Sequence, residues 1–75
     1  MEQYNQVFIN CFKVNADQLD TLEYRSISSW DSIGHMVLIS AMEESFGIMM
    51  GSDDIMNFSS YQNGKQIMKK YNVDL

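Results

Sequence analysis

"SSWDSIGHMVLISAMEESFGI", Ser28 to Ile48, places an acid and a serine directly before the one long helix-like run of the chain. Short polar side chains are favoured at a helix start because their oxygens accept hydrogen bonds from the first free backbone N–H groups, so the helix should begin at Asp31 or Ser32. It should run to about Phe46, where Gly47 is the residue that turns left-handed most easily past a helix end. Turning about 100° per residue, Leu38, Ile39, Met42 and Phe46 gather on one side, with Ala41 and Ser45 at its margin. Ile33, Met36 and Val37 fall on the other side, among Ser40, Glu43 and Glu44. A helix packed on one face has no reason to carry three large apolar residues on the other. Either the preceding loop folds over them or a partner does. In the first case Ser32 is a cap. In the second it stands at the edge of a docking surface, at a helix start whose free N–H groups and dipole favour a negative group.

The rest of the chain sets bounds on these alternatives. Seventy-five residues make one small domain, which buries only roughly 60% of the surface its unfolded chain exposes, so a deep enzyme cleft is not expected. A formal charge of −5 opposes nucleic acid and favours partners with basic patches. No apolar run has the length of a membrane span and no secretory signal is visible, which reads as a soluble, cytoplasmic chain, expected to be a monomer. The single cysteine, Cys11, excludes an internal disulfide, and there is no spaced Cys or His set for zinc. Seven methionines read mainly as flexible core filler, with an adaptable contact surface as the lesser reading.

The first segment, Glu2 to about Lys13, sets Tyr4, Val7, Phe8 and Cys11 on one helix face with Phe12 beside them, Cys11 being a small buried hydrophobe. From Val14 to Trp30 the periodicity fails and Asn, Asp, Ser and Thr are dense, as in a loop. Leu19, Leu22, Tyr24, Ile27 and Trp30 are the side chains able to pin it. A short turn capped at Ser52 or Asp53 carries Ile55, Met56 and Phe58. A last helix begins after Ser59 or Ser60, with Tyr61, Ile67, Met68 and Tyr71 inward and Lys65, Lys69 and Lys70 outward. The expectation is all-α, with three main helices, one short helix and a long loop between the first two.

Asp31, Ser32 and Ile33, followed by Met36, Leu38, Ile39, Ala41, Met42, Glu43, Glu44, Phe46, Gly47 and Ile48, resemble the acyl carrier protein family, in which the serine of an Asp-Ser-Leu type motif at the start of the second helix receives phosphopantetheine from coenzyme A. The resemblance extends from the first helix to about Tyr71 and implies a right-handed four-helix bundle. It also implies that Ser32 is the covalent attachment point for pantetheine 4'-phosphate, with Asp31 in a supporting role. The arm's thiol would carry an acyl or aminoacyl group as a thioester. Partners implied are a phosphopantetheinyl transferase that supplies magnesium, an acyl- or aminoacyl-loading ligase, and a downstream acyltransferase or synthase. They would dock on Ile33, Met36, Val37, Glu43 and Glu44, and the carrier itself performs no catalysis.

Gly34 and Val37 stand where many carriers place acids, and a glycine weakens a helix by about 1 kcal/mol relative to alanine. The surface beside Ser32 is thus less acidic than in most of the family, which fits a dedicated partner set, and "WDSIGHM" is similar to stand-alone bacterial carriers of specialised pathways. Asp31, Ser32 and His35 are also the residue types of a hydrolytic triad, but a triad places the base between nucleophile and acid, and no Gly-x-Ser-x-Gly elbow is present. His35 is expected at the helix surface or a pocket edge. A carrier-like interaction module without the modification is the alternative to a working carrier.

Overall fold

The computed structural model describes residues 1–73 and 75, and is built from helices: α1 (Glu2–Phe12), a 3-10 helix (Ala16–Thr21), α2 (Ser32–Phe46), α3 (Ser52–Asn57) and α4 (Tyr61–Lys69). No strand is present among the described residues, and none of their helices is long and apolar enough to cross a membrane. The all-α expectation therefore holds, with one correction. The stretch between α1 and α2 is not loop throughout, because the Gln18 side chain accepts from the Asn15 N–H at 2.8 Å and the Gln18 N–H donates to the Asn15 carbonyl at 3.0 Å, which starts the 3-10 helix that buries Leu19. Polar residues dense enough to disfavour an α-helix still supply a tight turn when their side chains bond the adjacent backbone.

Each helix end has a local cause. Lys13 closes α1 in the left-handed conformation, φ 58°, its N–H donating to the Ile9 carbonyl. Gly47 closes α2 at φ 64°, donating to the Glu43 carbonyl, as a left-handed C-terminal residue does. Ser60 starts α4, accepting from the Asn63 N–H at 2.9 Å while the Asn63 side chain accepts from the Ser60 N–H, also at 2.9 Å. The short α3 is preceded by Gly51, without a side-chain cap, and not by Ser52 or Asp53.

Tyr4, Val7, Phe8 and Phe12 of α1, Leu38, Ile39 and Met42 of α2, and Tyr61, Ile67 and Met68 of α4 meet in one apolar cluster with Phe58 and Trp30. Phe8 is its hub, with ring centroids at 5.1 Å from Tyr4, 5.4 Å from Tyr61 and 5.7 Å from Trp30. Burial raises the pKa of the Tyr4 phenol, whose hydroxyl donates to the Tyr61 carbonyl at 2.7 Å. Phe46 and Cys11, expected inside, are only half-buried at the margin. The methionine expectation is overturned. Met42, Met50 and Met68 are buried, whereas Met1, Met36, Met49 and Met56 are exposed, so the larger share lies at the surface.

α3 buries no residue fully and is held by polar ties instead. Asp54 accepts from Lys70 at 2.6 Å and from the Tyr71 hydroxyl at 2.5 Å, and that hydroxyl accepts from the Gly51 N–H at 2.9 Å. The Lys70 and Tyr71 hydrogen bonds hold the Asp54 carboxyl below the ordinary carboxylate range.

Candidate functional site

The start of α2 is positioned by the loop before it. Trp30 is fully buried, stacked on Phe12 at 5.1 Å between centroids, and its carbonyl accepts from the Arg25 N–H at 2.8 Å. This bond closes the segment between residues 25 and 30 into a compact turn. An isolated antiparallel bridge, Glu23 to Ser60, fixes its other end, with the Tyr24 N–H donating to the Ser59 carbonyl at 2.8 Å. Leu19 and Leu22 are buried beside Trp30, and Tyr24 and Ile27 are half-buried, so these five side chains do pin the segment.

The cap of α2 is Asp31. Its Oδ1 accepts from the Gly34 N–H at 2.8 Å, which leaves Ser32 as the first helical residue with its hydroxyl free of capping. The reading of Ser32 as a cap is thereby excluded. Ser32 is exposed, and its Oγ lies 3.2 Å from the Tyr24 hydroxyl, a neighbour that sequence spacing does not reveal. Hydrogen bonding to Ser32, and then to Arg25, lowers the Tyr24 phenol below its ordinary pKa. The Arg25 guanidinium lies over the Tyr24 ring, 5.4 Å from its centroid.

Gly34 has a reason that its helix position hides. A Cβ there would lie 1.9 Å from the Ser29 carbonyl oxygen. No side chain fits, so the acid that the family resemblance leads one to expect at this position has no room.

His35 is half-buried. The indole N–H of Trp30 can only donate, so Nδ1, at 3.0 Å, accepts; Nε2 then carries the hydrogen and donates to the Ile55 carbonyl at 2.7 Å. Both ring nitrogens are committed, and His35 ties the loop, α2 and α3 together. Its imidazole is not oriented toward the Ser32 hydroxyl as a triad base would be.

Ser32 stands where two surface features meet. On one side is a cleft of about 410 Å³ between α2 and α3, lined by apolar groups of Tyr24, Met36, Ile55, Met56 and Phe58. On the other is a shallower groove of about 630 Å³ along the outer face of α2, formed by Ile33, Met36, Val37, Ser40, Ala41 and Glu44. The loop does not cover this face: Ile33 is 77% exposed, and Met36 and Val37 are each 53% exposed. Val37→Glu should therefore change stability by less than about 0.5 kcal/mol, against several kcal/mol for an unpaired carboxylate in a buried site. A denaturant melt checks this, and a collapse would mean that the face is packed.

Glu44 is exposed on this groove, but Glu43 is not a free surface acid. Half-buried, its Oε2 accepts from the Met50 N–H at 2.9 Å and so holds the connection from α2 to α3. Of the two acids expected at the docking face, it is the less available. Among the described residues no cluster of His, Cys, Asp and Glu has the arrangement of a metal site. No protein-family model, curated protein or solved structure matches this chain.

Proposed function

We propose that the chain is an acyl carrier protein, modified on Ser32 by pantetheine 4'-phosphate and carrying an acyl or aminoacyl group as a thioester. The observation that carries this reading is the release of Ser32 from capping. Asp31 takes the cap, so the Ser32 hydroxyl is exposed and chemically available at the mouth of an apolar cleft. The string from Asp31 to Ile48, by which the chain resembles the family, joins this hydroxyl to the helix that follows. The order of α1, α2, short α3 and α4 is the order expected of the four-helix bundle that goes with the reading.

The donor set fits the arm. An exposed serine oxygen is the nucleophile, and the cleft offers a largely apolar wall to an attached chain. When bound, the arm supplies a terminal thiol that holds the cargo. In the modification, Ser32 Oγ bonds to the pantetheine-bearing phosphorus as the anhydride P–O bond of coenzyme A breaks. Adenosine 3',5'-bisphosphate leaves, and a base of the transferase takes the serine proton. Asp31 holds the helix start in register through Gly34, its supporting role being mechanical. The exposed residues Ile33, Met36, Val37 and Glu44 are the proposed contact face for the transferase, the loading ligase and the downstream acyltransferase or synthase. An apolar face of this kind suits partners that desolvate it, with Glu44 adding steering toward basic residues.

The test is intact mass after incubation with a promiscuous phosphopantetheinyl transferase, coenzyme A and magnesium. A single phosphopantetheine adduct on the wild-type chain and none on Ser32→Ala is the expected result. A wild-type chain that stays unmodified, or an adduct that persists in Ser32→Ala, overturns the reading and leaves an interaction module as the function of the exposed groove.

A further inference from the structure

Attaching a phosphodiester to Ser32 adds a negative charge beside Asp31, in a chain whose formal charge is already −5. Between Lys13 and Lys65 the sequence holds no lysine and one arginine, Arg25. It lies in the turn that closes onto the start of α2, its backbone N–H bonded to the Trp30 carbonyl. Its φ of 68° is a left-handed value uncommon outside glycine, asparagine and aspartate. Such a conformation persists only where the surrounding structure imposes it, and here the buried Trp30 does so. The turn brings the guanidinium over the Tyr24 ring.

Tyr24 is equally fixed. Its N–H is bonded to Ser59, and its ring packs edge-on against His35 at 5.7 Å between centroids. Its hydroxyl, 3.2 Å from Ser32 Oγ, is within reach of an oxygen on a phosphorus bonded to that atom. A phenol donor and a guanidinium are complementary to a phosphodiester, the guanidinium supplying planar, charge-assisted hydrogen bonds.

We propose that Tyr24 and Arg25 form a clamp in cis for the phosphodiester on Ser32, orienting the root of the arm between the cleft and the α2 groove. This rests on the carrier reading. The clamp holds the phosphate, while the remainder of the arm is free to leave or enter the cleft. Tyr24 and Arg25 are positioning residues and take no part in the thioester chemistry.

The experiment uses the modified full chain, ¹⁵N-labelled, as wild type, Tyr24→Phe, Arg25→Gln and Arg25→Lys. The phosphodiester ³¹P resonance and the Arg25 Nε–Hε resonance are recorded before and after modification. In the wild type the Nε–Hε signal should shift on modification. In Tyr24→Phe and Arg25→Gln the ³¹P resonance should move toward that of a phosphopantetheinyl-serine peptide, with Arg25→Lys between the two. The Nε–Hε comparison needs no variant, so it stands even if a substitution perturbs the fold. An adduct whose ³¹P resonance is the same in all four chains, with an unmoved Arg25 signal, overturns the clamp and leaves the carrier reading intact. A wild-type chain that accepts no arm removes both.

Discussion

Gly64→Ala is expected to cost about 3 kcal/mol, a large fraction of the roughly 4 to 11 kcal/mol available to a chain of 75 residues. In an exposed helix the same change would stabilise by about 1 kcal/mol, since glycine is the poorer helix former. Here a Cβ would lie 2.3 Å from the Tyr4 hydroxyl oxygen and 2.4 Å from Phe58 Cζ. Neither ring has room to retreat, because both are fully buried against Phe8. Moving Tyr4 would also break its bond to the Tyr61 carbonyl. Overpacking of a tight core costs about 1 to 3 kcal/mol, and leaving a buried partner unsatisfied adds about 1 to 3 kcal/mol. Both exceed the propensity gain. Gly51→Ala is the control, since its Cβ would meet only the Tyr71 hydroxyl at an ordinary 3.8 Å. Urea melts of the two variants decide the matter, and equal midpoints would show that α4 does not approach Tyr4 and Phe58 as described.

At the other end of the site, Gly34→Ala should lose about 2 kcal/mol or more and slow the proposed modification of Ser32. The contact made by its Cβ, 1.9 Å from the Ser29 carbonyl oxygen, is with backbone, which a rotamer change cannot relieve. The backbone has little freedom there. Ser29 precedes the buried Trp30, and two residues on, Asp31 is bonded to the Gly34 N–H. Displacing this segment strains the packing by about 1 to 3 kcal/mol and loosens a cap worth about 0.5 to 2 kcal/mol. The sum outweighs the roughly 1 kcal/mol recovered from helix propensity. Gly34→Glu meets the same contact and should be no better, despite supplying the acid that the resemblance to acyl carrier proteins leads one to expect. Melts paired with the rate of adduct formation by mass provide the check. A Gly34→Ala chain more stable than wild type would mean that the loop stands off from α2.

These two glycines mark where sequence reading stops. The limits of α1 and α2 and the start of α4 were legible because their causes are local. Gly47 turns left-handed within one residue, the Ser60 cap acts over three residues, and the inward positions Tyr4, Val7, Phe8, Leu38, Ile39, Met42, Ile67 and Met68 follow the helical period. The two apolar sides of α2 were legible for the same reason, but not whether the outer one would be left open, since that depends on the path of the loop. The 3-10 helix and the Glu23 to Ser60 bridge send that path past Tyr24 and Trp30, not across Val37.

The same path sets the approach of Tyr24 to Ser32 and of Trp30 to His35, while the course of the chain after α2 sets the second His35 bond, to Ile55, and the bond between Glu43 and Met50. The loop also makes Gly34 necessary, under the Ser29 carbonyl, and the packing of α4 on Tyr4 and Phe58 makes Gly64 necessary, under two aromatic rings. None of these has a periodic or compositional signature. Each arises where segments meet in space, and such meetings depend on packing of the whole chain rather than on the hydrogen-bonding habits of neighbouring residues.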